Sequence, residues 1–176
     1  MRVISGKYKG KKLKGFDIDG TRPTMDRVKE SLFSVIQNYI KGSVILDLFA
    51  GSGSLGIEAI SNGAKSVYLI DNNTKLIDII KENTYGMNEE IHIIKGDYND
   101  ILKIISDIKF DIIFLDPPYK LNLINDCLNK IYEYNLLNKN GIIVCEYEDE
   151  NVQSNYFELY KEKKYGTKNI KIFIKK

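Results

Sequence analysis

Five short runs rich in β-branched residues, Val44 to Leu48, Ser66 to Ile70, Ile91 to Lys95, Asp111 to Leu115 and Gly141 to Glu146, recur along the chain with helix-like spacing between them. Strands this uniformly apolar are buried on both faces and pair in parallel, and the intervening stretches are long enough for crossover helices. The pattern restricts the chain to an α/β fold on a mostly parallel sheet with helices on both faces. Tyr156 to Lys161 and Asn169 to Lys175 follow without a helix between them and flank Gly166. They predict an antiparallel hairpin at one sheet edge, for seven strands in all. Upstream, Thr24 is placed to cap a helix running to about Ile40, with Val28, Leu32, Val35, Ile36 and Tyr39 on its apolar face. Val3 to Lys14 alternates apolar with basic residues around Gly6 and Gly10, which predicts a small hairpin with a positive outer face. A chain of 176 residues is expected to form one domain, with 1–23 as a basic extension and 24–176 as the core.

The net charge of +2 conceals an asymmetry. Residues 1–41 carry ten Lys/Arg against four Asp/Glu, residues 42–160 nine Lys against nineteen acids, and residues 161–176 seven Lys against Glu162. A composition biased toward Ile, Lys, Asn and Tyr accounts for the C-terminal lysines as well as function does. It accounts less well for the N-terminus, because all three arginines, Arg2, Arg22 and Arg27, fall in the first 27 residues. The planar guanidinium suits bidentate contact with phosphate or base, so Arg2, Lys7, Lys9, Lys11, Lys12 and Arg27 form a candidate nucleic-acid-facing surface. No run of eighteen apolar residues and no signal-type apolar segment occurs, and a soluble cytoplasmic protein is expected. Cys127 and Cys145 read as core thiols rather than a metal or redox pair, and His92 as a strand residue, so no metal is expected.

The segment Asp47-Leu-Phe-Ala-Gly51-Ser-Gly53-Ser-Leu-Gly56 ends the first parallel strand and opens a helix, where an open α/β sheet binds a nucleotide. Its glycines also satisfy the dinucleotide pattern, and Asp71, ending the second strand, suits ribose hydroxyls in either ligand class. Asp47 discriminates more, because a carboxylate there can pair with an ammonium group, which S-adenosylmethionine has and NAD lacks. Asp97, after the third strand, could accept the adenine amine or simply start a helix. The fourth strand delivers Asp116-Pro117-Pro118-Tyr119 on the same sheet edge. Two prolines stiffen the loop. The Asp116 carboxylate and Pro117 carbonyl could hold the two hydrogens of an exocyclic base amine, with Tyr119 stacking the base for roughly 1–3 kcal/mol. The stripe Leu121, Ile124, Leu128 and Ile131 reads as core, and Glu146-Tyr-Glu-Asp-Glu150 as a solvated strand end.

With these elements placed, the chain resembles the class I methyltransferases, and more closely the bacterial RsmD-type enzymes that methylate guanine N2 in small-subunit (16S) ribosomal RNA. The resemblance covers nearly the whole chain. It is carried by DLFAGSGSLGIEA, DPPY, RVISGKYKGKKLK, the stretch TRPTMDRVKE from Thr21, and the closing KKYGTKNIKIF; Met25 stands where that family usually has serine. It implies S-adenosylmethionine as cofactor, held by Asp47, Phe49, Gly51, Ser52, Gly53, Asp71, Asn72, Asp97, Tyr98 and Asp116. It implies Asp116, Pro117, Pro118 and Tyr119 around the target amine, and Arg22, Pro23 and Thr24 helping to close the site. The implied partner is ribosomal RNA within a small-subunit particle, met by a monomer. Asp-Pro-Pro-Tyr is shared with adenine-N6 enzymes, so guanine comes from the resemblance alone. An adenine-N6 methyltransferase, a nucleotide-dependent oxidoreductase and a non-catalytic RNA-binding assembly factor are the competing readings.

Overall fold

The computed structural model describes residues 1–15 and 23–176, the side chains of Pro23 and Thr24 excepted. The elements run α1 (Pro23–Ile40), β1 (Val44–Asp47), α2 (Ser54–Ser61), β2 (Ser66–Asp71), α3 (Thr74–Thr84), β3 (Glu90–Lys95), α4 (Tyr98–Ile104), β4 (Phe110–Leu115), α5 (Ile124–Glu133), β5 (Leu137–Tyr147), β6 (Phe157–Tyr165) and β7 (Lys168–Lys175). The strands form one sheet in the order β3-β2-β1-β4-β5-β7-β6. Neighbours among β1 to β5 are parallel, and β7 pairs antiparallel with both β5 and β6. The hairpin expected at the edge is present with its second strand inward. This is the class I methyltransferase architecture.

The pleat sends successive residues to opposite faces, and the core divides accordingly. Ile45, Ile112 and Val144 join Leu32, Ile36 and Ile80 in one cluster, under α1, α2 and α3. Leu46, Ile113 and Cys145 join Leu102, Leu128 and Ile131 in the other, under α4 and α5. Both cysteines are free and buried.

Some boundaries differ from the sequence reading. Helix α1 begins at Pro23, one residue before the expected cap Thr24; a proline costs nothing at a first helical position, where the N–H has no partner anyway. The buried stripe of α1 includes Phe33 and Ile40, whereas Val35 and Tyr39 are only partly covered. Strand β5 begins at Leu137 rather than Gly141, because pairing with Phe110 recruits the polar run Asn138 to Asn140 across a register shift. Leu121 precedes α5 and is exposed, so it is not part of the core stripe.

The expected N-terminal hairpin forms around the antiparallel bridge Arg2 to Lys12, with the Val3 N–H donating to the Lys11 carbonyl and the Leu13 N–H to the Met1 carbonyl, both at 2.9 Å, and it packs on α2. Val3 and Leu13 are buried against Ile57. The Glu58 carboxylate, fully buried on α2, accepts from the N–H groups of Ile4 at 2.9 Å and Ser5 at 3.0 Å, and pairs with Lys29 of α1 at 3.1 Å. Gly6 has φ +80, and a Cβ there would lie 1.9 Å from the Ser61 carbonyl oxygen, so the segment seats on α2 only with glycine at this place. Removing one partner of a buried pair strands the other charge. Glu58→Ala is expected to lower the free energy of unfolding by about 3–5 kcal/mol, measured by urea denaturation. An effect below ~1 kcal/mol would mean the anchor is dispensable.

No helix of the described residues is long and apolar enough to cross a membrane, and no group of three or more His, Cys, Asp or Glu among them could hold a metal ion.

Candidate active site

At the carboxyl ends of β1 to β5 the sheet opens into a cavity of about 780 Å³. This edge binds ligands in open parallel sheets because successive strand ends and helix starts converge there. Asp47, Phe49, Gly51 and Ser52 line it from β1, Asp71 and Asn72 from β2, Asp97 and Tyr98 from β3, and Asp116, Pro117, Pro118 and Tyr119 from β4. Gly53 does not line it. With φ 81 it caps α2 from beneath the turn, where a Cβ would press on Ile57 at 3.3 Å.

The walls are held by the loops' own backbone. Asp71 accepts from the N–H of Gly51 at 3.0 Å and of Asn73 at 2.9 Å, which ties the glycine turn to the start of α3. Asp97 caps α4, accepting from the Asn99 N–H at 2.9 Å, and also lines the cavity. Tyr98 donates its hydroxyl to Asp126, and its ring meets Phe49 with centroids 5.6 Å apart, forming an aromatic corner.

Two carboxylates stand out. Asp47 is 1% exposed; its Oδ2 accepts from the Gly56 N–H at 3.1 Å, whereas its Oδ1 is buried without a hydrogen-bond partner among the described residues. Burial pushes its carboxyl up to about 7, against the Gly56 hydrogen bond and helped by the nearby Asp71 charge. An unpartnered buried acceptor is costly unless a ligand donor completes it. Asp116 is also raised well above the ordinary carboxylate range, by burial first and then by Glu146, with Lys168 opposing. It makes no hydrogen bond to a described residue and keeps a partial opening to the cavity.

The sequence pattern places Glu146 in a solvated acidic run, whereas the structure buries it. The side chains of β5 alternate, so Glu146 turns into the cavity and is only 9% exposed, beside Tyr147 on the opposite face. Its Oε1 accepts from Lys168 Nζ at 2.6 Å and from the Tyr119 hydroxyl at 3.2 Å. The Lys168 ammonium sits 5.8 Å from the centroid of the Tyr119 ring, which leaves that ring 40% exposed at the cavity mouth. Burial and the neighbouring carboxylates push the Tyr119 hydroxyl up to about 12, and Glu146 raises Lys168 despite burial.

The basic residues separate from the cavity. Arg2, Lys7, Lys9, Lys11, Lys12 and Arg27 do not line it. Arg2 pairs with Asp26 at 3.6 Å and Lys7 with Glu89 at 2.6 Å, while Lys9, Lys11, Lys12 and Arg27 have no ion pair with a described residue. Arg22 and the side chains of Pro23 and Thr24, expected to help close the site, lie outside the described structure. Lys29, which sequence reading passed over, lines the cavity and donates to Ser54 Oγ at 2.9 Å. Its signal was legible: it stands three, four and seven residues before Leu32, Phe33 and Ile36, on the apolar face of α1. Glu146 carried the same signal as Asp71, an acid at a strand's carboxyl end; Lys168 carried none.

The family model described as "Conserved hypothetical protein 95" matches residues 1–174. The chain is 42% identical over 154 residues to the candidate rRNA methyltransferase YlbH of Bacillus subtilis, covering 85% of this chain and 84% of that one. It is 36% identical over 179 residues to ribosomal RNA small subunit methyltransferase D of Haemophilus influenzae, covering 98% and 93%. A solved structure of yhhF, a candidate methyltransferase from Escherichia coli, superposes with a TM-score of 0.88 at 28% identity, covering 100% of this chain and 98% of that one. The chain belongs to the family described as "Conserved hypothetical protein 95", together with relatives that include ribosomal RNA small subunit methyltransferase D.

Proposed function

We propose that the protein is an S-adenosylmethionine-dependent methyltransferase that modifies the exocyclic N2 amine of a guanine in small-subunit ribosomal RNA. The observation that carries this reading is Asp47 Oδ1, a buried acceptor without a partner among the described residues, in the same cavity as the carboxylate of Asp116. An ammonium donor fits the first, and the residues present suit a ligand with an amino acid at one end and an adenosine at the other. Asp47 takes the ammonium, Asp71 and Asn72 the ribose, and Asp97, Tyr98 and Phe49 the adenine. Bound there, S-adenosylmethionine supplies an electrophilic methyl group on a sulfonium.

The chain's own work is on the nucleophile. A base amine is conjugated to its ring, so its lone pair is a poor nucleophile until the hydrogens are held. Asp116 and the Pro117 carbonyl would accept those hydrogens, Pro118 stiffens the corner, and Asp116 would stabilise the positive charge that gathers on the amine and take up its surplus proton. Tyr119 stacks the extruded base. Lys9, Lys11, Lys12 and Arg27, with Arg2 and Lys7, contact phosphates, and Arg22, Pro23 and Thr24 help close the site over the cofactor or substrate. So small a chain has little surface for reading sequence. It recognises RNA shape in an assembled particle, as a cytoplasmic monomer.

Two measurements test this. Calorimetry is expected to show micromolar or tighter binding of S-adenosylmethionine and none of NAD(H), and the opposite preference would return the oxidoreductase reading. Incubation with methyl-labelled cofactor and small-subunit particles lacking modifications is expected to give N2-methylguanosine on mass mapping. N6-methyladenosine would overturn the guanine assignment, and no transfer to any RNA would favour a binding factor.

A further inference from the structure

We propose that Glu146 and Lys168 read the Watson–Crick edge of the target base and make the enzyme specific for guanine, an assignment that rests on the N2-methyltransferase reading above. The sheet places the groups in a row. Leu115 of β4 pairs with Cys145 of β5, which sets Asp116 beside Glu146. Glu146 in turn pairs with Ile170 of β7, whose first residue is Lys168. All three line the one cavity, and they come from strands that stand side by side in the order β4, β5, β7.

The edge of guanine offers a matching sequence of groups: the N2 amine, then the N1–H, then the O6 acceptor. With the amine held by Asp116, the N1–H meets the next acceptor, Glu146. Its Oε1 is taken by Lys168 and Tyr119, but its Oε2 makes no hydrogen bond to a described residue although the side chain is about nine-tenths buried. The Lys168 ammonium spends one donor on Glu146 and has others for O6. Adenine reverses two of these groups, presenting a bare N1 lone pair to the carboxylate and an amino group to the ammonium. Both meetings are repulsive, and a site built to pair such groups rejects the analogue that cannot pair. The electrostatics agree with this proximity, since Glu146 raises Asp116 and Lys168 lowers it.

A bland role is available to the same residues, in which the pair only holds the Tyr119 ring in place. The two roles separate on 2-aminopurine, which keeps the N2 amine and the stacking face of guanine but lacks the N1–H and O6. The experiment compares single-turnover methylation of particles reconstituted with guanine or 2-aminopurine at the mapped position. The wild-type protein is expected to prefer guanine by about 100-fold or more. Glu146→Gln and Lys168→Met are each expected to slow guanine and to shrink that preference to below about tenfold, with binding of S-adenosylmethionine by calorimetry reporting intact folding. A preference unchanged in both variants, with both bases slowed equally, would reduce the pair to a support for Tyr119 and overturn the assignment. Equal rates on the two bases with wild-type protein would overturn it as well. Failure of the underlying function looks different: wild-type protein then gives no N2-methylguanosine on the natural particle.

Discussion

Asp116→Ala is expected to bind S-adenosylmethionine within about tenfold of wild type and to transfer methyl groups at least 10³-fold more slowly, the size of loss seen when a group that acts on the transition state is removed. The split follows from where the carboxylate stands. Asp47, not Asp116, has the buried unpartnered oxygen suited to the ligand's ammonium, and Asp71 and Asp97 line the other wall. Asp116 lines the cavity with Glu146 and Tyr119. Its raised pKa adds a pH signature. The free protein holds this proton to higher pH than an ordinary aspartate, and only the carboxylate accepts from the amine, so turnover falls as pH drops through the raised value. Single-turnover rates and calorimetric affinities measured on one preparation check the split. Normal turnover in the variant would remove Asp116 from the chemistry.

Asp47→Asn is the second large effect, and it divides function from stability. Losing the ammonium's partner is expected to weaken cofactor binding at least 100-fold, as for other buried charge pairs cut on one side. In the wild-type protein, affinity should fall as pH drops below about 7, where Asp47 takes up its proton, and fall again above roughly 8, where an α-amino group loses its own. The variant should lose the acidic limb. Stability moves the other way. The folded carboxyl titrates near 7 while the unfolded one titrates near 3.8, so the native state binds the extra proton between these values. Its stability rises as pH falls from 7 to 4 and is lost as pH rises through 7. At pH 8 the ligand-free variant is therefore expected to be more stable than wild type by up to about 4 kcal/mol, read from urea denaturation. A destabilised variant would mean that burying the unpartnered Asn amide costs more than burying the charge.

The sheet was legible because β1, β2 and β4 are largely buried on both faces and their charged residues fall at or next to the strand ends. Where polar residues enter an element, the reading slipped. Leu137 starts β5 across Asn138, Lys139 and Asn140, and only its pairing with Phe110 reveals it. The docking of the N-terminal hairpin on α2 has no local signal, because Glu58 holds the Ile4 and Ser5 N–H groups across more than fifty residues of sequence. In the site, the acids at the ends of β1 to β4 announce themselves by position. Glu146 obeyed the same rule but was hidden by the acids that follow it. Lys168 reaches the cavity only because β7 is inserted beside β5, a topological fact that no local pattern carries.

The most direct test of the account is a crystal structure with S-adenosylhomocysteine bound. The ligand's amino nitrogen is expected within about 2.7–3.2 Å of Asp47 Oδ1. Its sulfur should face the Asp116–Pro117 corner, with room for a methyl group and an amine about 3–3.5 Å beyond it. An amino group bound elsewhere, or a sulfur turned away from that corner, would contradict the account.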